Sequence, residues 1–347
     1  MAELDFSSLE GAALLYEDGV VTRLNDMMKQ VYPKLKAGDA VPPELLHAHQ
    51  PEVTGALVPI GDAWLALVMP TQCREGAALR LRLNPVRTER MANEHLEFAV
   101  RNFIQQLSAG KDAMVDTGLA EENPEVAQYL TGVNYQLCRL QKALDQCEAP
   151  ANEKRTALLR PVVDFSALFE QACLEIEGLQ AQLGVSFSRE ITGAGRGRPI
   201  FVRGDKAVLG KCLLYLFHQG VKLAKRDSTQ HKISLRLTEE RRQVRVTLSG
   251  SWGVVDRAYL FDRENQMVRE EGLHVAQQLL FDSGGVLLHV VRGESTVFHL
   301  TLPAANMSTG RLFSPHIMID RPSDYAASLV VFSDLLPEEV YSPLLID

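Results

Sequence analysis

The chain has 347 residues, 46% of them hydrophobic and 23% charged, which is enough for two or three domains that each bury a core. A net charge of −8 excludes broad attraction to nucleic acid or to an anionic membrane surface, and no apolar run is long enough to span a bilayer. The acidic start MAELDFSSLE does not read as a signal peptide. The scattered Cys73, Cys138, Cys147, Cys173 and Cys212 form no C-x-x-C pair, so neither a zinc site nor a disulfide framework is expected. The expectation is a cytoplasmic protein with reduced thiols.

In chain order, Ala12 to Leu24 reads as a hairpin turning at Glu17-Asp18-Gly19, and Asn25, Met27, Met28 and Val31 as a short helix. Ala56 to Ile60 and Ala63 to Met69 pair about Gly61-Asp62, and Ala77 to Leu83 adds a last strand. Pro59 is expected to confine its strand to a sheet edge. Next come two stripes at alternating spacings of four and three. The first is Leu96, Val100, Phe103, Leu107, Gly110 and Met114. The second is Val126, Leu130, Val133, Leu137, Leu140 and Leu144. Asn123 and Pro124 start the second helix well. Such a hairpin buries only part of its apolar stripes, and a second copy would complete a four-helix bundle.

From Pro161, the sequence PVVDFSAL is a strand leading into a helix whose buried stripe is Phe165, Leu168, Phe169, Ala172, Ile176 and Leu179. Val185 to Arg189 reads as a strand and Gly193 to Pro199 as a basic loop around Arg196-Gly197-Arg198. Asp205 caps a helix running through Leu209, Cys212, Leu213, Leu216, Phe217 and Gly220. Lys232 to Leu237 and Gln243 to Leu248 alternate as paired strands around Glu239-Glu240-Arg241. Glu270 to Pro303 then reads as a helix, a Gly284-Gly285 turn, a strand, a Gly293-Glu294 turn and a closing strand. After Pro303, the spaced prolines Pro315, Pro337 and Pro343 argue against a long helix. Ser328 to Phe332, SLVVF, is expected as one strand of a packed or partly ordered extension.

The order of elements from Pro161 to Pro303, about 145 residues, resembles the ATP-binding GHKL domain of sensor histidine kinases. The helical hairpin before it resembles that family's dimerisation and histidine-phosphotransfer hairpin. The N-terminal strands resemble a small PAS sensor domain. The resemblance implies an α+β multidomain chain: a PAS-like α/β domain at 1–86 and an antiparallel hairpin at 87–150 that forms a dimeric four-helix bundle. A GHKL (Bergerat-type) α/β sandwich follows at 156–305, and an extension at 306–347.

The same resemblance marks where the chemistry departs. The family's magnesium-binding Asn corresponds to Gln219, and the earlier Asn of that motif to Tyr215. The adenine-reading Asp corresponds to Gly250, in GSWGV, and the next glycine to Trp252, whose ring would fill adenine space. The G-x-G of the phosphate region becomes Glu270-Glu271-Gly272, where two carboxylates oppose an anionic ligand. A late Gly-Thr becomes Ser295-Thr296. On the first hairpin helix, Arg101 stands at the phospho-accepting His position and Asn102 follows it. A guanidinium cannot serve as that nucleophile. The nearest imidazole, His95, is more than a turn and a half away.

These departures imply a pseudokinase with no working cofactor. Gln219, Gly250, Trp252 and Gly272 would line a vestigial ATP pocket, with no metal held and no catalytic residue. The expected role is a homodimeric signalling adaptor that docks a histidine kinase or a response regulator. Two other readings stay open. One is a divergent ATP- and Mg-dependent histidine kinase using His95 or another acceptor, and the other is a phosphotransferase of a phosphorelay.

Overall fold

The computed structural model describes residues 5–50, 52–61, 64–85, 91–147, 161–193, 199–227, 229–240, 242–256, 283–305 and 326–343. The expected helix over Glu270–Leu280 and the Arg196-Gly197-Arg198 loop fall outside these. The first strands, β1 (Ala12–Glu17) and β2 (Val20–Leu24), are joined at Asp18 and Gly19, with φ of 50° and 78°. That two-residue turn matches the twist of an antiparallel pair. Asn25 then caps helix α1 (Asp26–Val31) by accepting from the Met28 N–H at 2.9 Å, and it bonds back to Gly11 and Ala13 beside β1.

Strands β3 (Val53–Ile60), β4 (Trp64–Cys73) and β5 (Gly76–Pro85) complete the N-terminal set. Helix α2 (Met91–Asp116), the short α3 (Leu119–Glu122) and α4 (Pro124–Cys147) form the hairpin. Asn123 accepts from the Glu125 N–H at 2.9 Å at the start of α4. Strand β6 (Val162–Asp164) runs into α5 (Phe165–Leu183), which Asp164 caps, and Gly184 ends the helix at φ 61°. Strand β7 (Ser186–Gly193) follows, then β8 (Phe201–Arg203), which pairs with β6. Helix α6 (Lys206–Asp227) begins on Asp205, whose carboxylate accepts from Ala207 and Val208. The last strands are β9 (Lys232–Glu240), β10 (Gln243–Gly250), β11 (Val286–Arg292) and β12 (Ser295–Pro303).

Ten of these strands form one sheet in the order β2-β1-β5-β4-β3-β11-β12-β10-β9-β7. The two halves of the chain meet where β3 pairs with β11, through Leu57 with Leu287 and Ala56 with Leu288. Strand β3 is therefore interior, and the edge position expected from Pro59 is corrected. Its described ladder to β11 stops at Leu57, so Pro59 is laddered on one side alone, to Leu65 of β4, as a residue of an edge strand would be.

Strand β11 divides two cores. Leu287 shares its face with Leu57 and Leu300, and this face belongs to the large core with α5 and α6. Val286, Leu288 and Val290 point the other way, into a second core with Met28, Leu45, Ala56 and Leu81. The period-2 alternation of one strand thus serves apolar layers on opposite faces.

The C-terminal residues 326–343 are packed. The strand expected at SLVVF is corrected: helix α7 (Ala327–Val331) occupies it, followed by a 3-10 turn at Glu338–Tyr341. Val330, Val331 and Phe332 are buried in the large core, and α7 lies against α4, α5 and α6. Burial from several sides overrides the strand preference of two adjacent valines.

Candidate functional site

Strand β10 ends at Gly250, beside Lys232 and Ile233 of β9. There Trp252 turns inward until it is 3% exposed, and its indole Nε1 donates to the Thr296 carbonyl at 2.7 Å. The ring lies on Gly250. A Cβ at that position would run into the indole and stand 2.6 Å from the Lys232 carbonyl oxygen. Residue 250 therefore has no room for a side chain while Trp252 stays in place.

Thr296 anchors the rest of this segment. Its N–H donates to the Gly253 carbonyl at 3.2 Å, and its hydroxyl accepts from the Val255 N–H at 2.7 Å. The buried His289 of β11 continues the chain of bonds, with Nε2 2.8 Å from the Val255 carbonyl and Nδ1 2.6 Å from the Thr54 hydroxyl of β3. A carbonyl only accepts, so Nε2 carries the proton and Nδ1 accepts from Thr54. Residues 252–255 are thus bonded to β12, to β11 and, through one imidazole, to the N-terminal half of the sheet.

Gln219 lies fully buried on α6. Its neighbour Gly220 sits on β10: a Cβ there would be 2.9 Å from Leu248, two residues before Gly250. The fold thus brings Gly250 and Trp252 into contact and sets the Gln219 turn of α6 over the same end of β10. Gly272 lies outside the described residues. Tyr215, one turn before Gln219, is buried, and its hydroxyl has no hydrogen-bond partner among the described residues. Burial, then Asp145 and Asp334, push its pKa upward.

On the hairpin, Arg101 is half-buried on α2. His95 lies on the same helix, and its side chain is outside the described residues. Ile104 and Ser108 form the buried side of α2, while the expected seam residues Phe103, Leu107 and Met114 are 53%, 39% and 45% exposed.

A second polar cluster, absent from the sequence reading, joins α4, α6 and the C-terminal segment. The Asp334 carboxylate receives Lys142 of α4 and His218 of α6 on Oδ1, the latter at 2.8 Å, and Lys222 of α6 on Oδ2 at 3.1 Å. Burial would raise the Asp334 carboxyl, but the His218 bond and the Lys142 ammonium outweigh it and hold the group below the ordinary carboxylate range. Burial takes the fully enclosed His218 down to about 4 despite Asp334, so the imidazole is neutral and gives its Nε2 proton to the carboxylate. Burial likewise brings Lys142 down to about 8, with Asp334 opposing. Beside this cluster, Lys211 of α6 reaches Asp145 of α4 at 2.8 Å. The signal in the sequence was a second α6 stripe, Lys211, Tyr215, His218 and Lys222, spaced at three and four.

Among the described residues no group of acids, histidines and cysteines is arranged to hold a metal, and no helix is long and apolar enough to cross a membrane. Cys138, Cys173 and Cys212 are buried thiols that desolvation pushes up to about 12.

No protein-family model matches the chain, and no curated protein matches it. Several solved structures do. The catalytic domain of histidine kinase ThkA in a nucleotide-free form is 16% identical over 42% of this chain and 96% of that one, with a TM-score of 0.34. Histidine kinase ThkA in complex with response regulator protein TrrA is 15% identical over 86% and 97%, with a TM-score of 0.39. The Acinetobacter baumannii histidine kinase AdeS is 14% identical over 58% and 95%, with a TM-score of 0.38. With TM-scores below 0.5, these likenesses carry no functional weight.

Proposed function

We propose that this chain is a degenerate relative of the sensor histidine kinases that signals by protein contact and transfers no phosphate. In this reading a PAS-like unit, a helical hairpin and a GHKL-like unit are retained, and the nucleotide site is closed. The observation that carries it is the Trp252 indole lying on Gly250. An adenine anchor at residue 250 needs a side chain, and the ring and the Lys232 carbonyl leave none of the space. The bonds from Thr296 to Trp252, Gly253 and Val255 fix the segment in that position. Arg101 at the acceptor position supports the same reading from the hairpin, since a permanently protonated guanidinium is no phosphoacceptor.

The hairpin is proposed to work as a homodimer. The stripe of Phe103, Leu107 and Met114 is exposed in the single chain at heptad spacing, which suits a second copy completing a four-helix bundle. The proposed partner is a response regulator or a histidine kinase docking on that bundle. Signals from the N-terminal unit would shift bundle packing.

Calorimetric titration of the full chain with ATP and ADP in magnesium tests the closed site. No heat is expected up to millimolar nucleotide, and micromolar binding would overturn the reading. Sedimentation tests the assembly: the native chain should run as a dimer and Leu107→Asp as a monomer. A native monomer would remove the bundle.

A further inference from the structure

Helix α6 presents three nitrogen side chains, Lys211, His218 and Lys222, on the side that meets α4, and α4 adds Lys142. Lys211 is engaged by Asp145. The other three converge on one carboxylate, and that carboxylate comes from neither helix. Both oxygens of Asp334 are used, and two of their partners, Lys142 and His218, are buried. The buried Lys142 ammonium needs an anion, because desolvation penalises a cation strongly unless it is paired. Without residue 334, α4 and α6 would bring two lysines together at this junction with no acid that the described residues place between them.

The segment carrying Asp334 is built around that contact. Phe332, two residues earlier, is fully buried against the rings of Phe217 and His218. Tyr341 is fully buried, donates its hydroxyl to the Leu329 carbonyl at 2.8 Å and packs its ring on Tyr135 of α4. Its own carbonyl accepts from the Asn134 side chain at 2.9 Å. Glu338 lies over Gly132, where a Cβ would stand 3.1 Å from its carboxylate oxygen.

We propose that Lys142, His218 and Lys222 are an oxyanion-binding site at the junction of the hairpin and the sheet, and that its ligand is this chain's own C-terminal segment, delivered through Asp334. Phe332 and Tyr341 give the segment its affinity, and the carboxylate fixes its register. With the segment seated, α4 is held on α6 and its stretch from Gly132 to Lys142 is covered on the face that carries Gly132, Tyr135 and Lys142. A protein docking on that stretch competes with residues 326–343. The proposal stands independently of whether nucleotide binds.

Hydrogen exchange on the full-length protein tests it. In the native chain the amides of Phe332, Leu335, Leu336 and Ser342 should be slow. Asp334→Asn should speed exchange across 326–343 and along α4 from Asn134 to Asp145 at least tenfold, leaving β9 and β10 as slow as before. Asp334→Glu should recover most of the protection, since it restores the oxyanion. If Asp334→Asn unfolds the whole chain, Lys222→Gln, which removes the more exposed cation, serves instead and should give a smaller loss confined to the same segments. Native exchange at 326–343 in Asp334→Asn, or in Lys222→Gln where the first variant does not fold, would overturn the proposal. So would an Asp334→Glu chain no better protected than Asp334→Asn.

Discussion

The two sides of α6 differ in what they do with polar groups. On the sheet side, Gly220 lies on Leu248, and the nearby end of β10 is closed by an indole bonded to a backbone carbonyl. On the outer side, Lys211, His218 and Lys222 all find acids, one of them from the far end of the chain. The sheet side is where the resemblance expected a ligand, and it is filled with apolar bulk. The outer side, which also carries Tyr215, gathers Lys142, His218 and Lys222 on one carboxylate.

The comparison can be broken first at the indole. Trp252→Ala should cost about 3–5 kcal/mol in a denaturant titration, because the surrounding strands cannot collapse into the space. A cost within error of zero would mean that the ring is not part of the packed interior. Next, Gly250→Asp should cost about 3 kcal/mol or more through overpacking. Trp252→Gly in the same chain should recover part of that, and a double-mutant cycle reads the coupling. Full additivity would mean that the two positions do not share space.

The outer side is probed by acid. His218 and His299 both have pKa values near 4 in the folded chain, lowered from 6.5 chiefly by burial and then by neighbouring cations. For His218 the Asp334 hydrogen bond opposes the shift, and the cations are Lys142 and Lys222. For His299 they are Arg245 and Arg292. A depressed histidine contributes stability that is complete above pH 6.5 and lost as the pH falls toward 4, because only the unfolded chain takes up the proton. The loss should be on the order of 2 kcal/mol for each histidine by pH 4.5. Asp334, also depressed, keeps its contribution in that window and loses it only below the ordinary carboxylate range. Denaturant midpoints at pH 7, 5.5 and 4.5 check this, and His218→Asn should flatten the slope. The smallest effect is expected at Thr296→Val, about 1–2 kcal/mol, from leaving the buried Val255 N–H without an acceptor.

Much of the fold was legible because its signals are local. Asp18-Gly19 requires positive φ, Asn25, Asn123 and Asp205 cap helices, and the strands about Glu239-Glu240 alternate at period 2. What failed was non-local. Pro59 read as an edge residue because nothing in its own segment announces that β11 will pair with β3. SLVVF read as a strand because α4 and α6, which bury it as a helix, lie far away in sequence. At the candidate site, Gly250 and Trp252 were picked out as departures from a pattern, and their contact makes sense of both at once. The acids and cations of the outer side were visible in the sequence, but only the packed tail reveals that Asp334 belongs to His218.

The β3–β11 pairing also sets a clock. Thr54 and His289, bonded across that seam, are 235 residues apart in the chain. At synthesis rates of roughly 5–20 residues per second, β3 emerges roughly 10–50 s before its partner. For that interval the β3 edge has unpaired amides and carbonyls beside apolar residues, a combination that templates wrong strand pairing. The second core waits as well, because Val286, Leu288 and Val290 arrive with the same late strand. The nascent N-terminal unit therefore keeps one strand edge open until β11 emerges to pair with it.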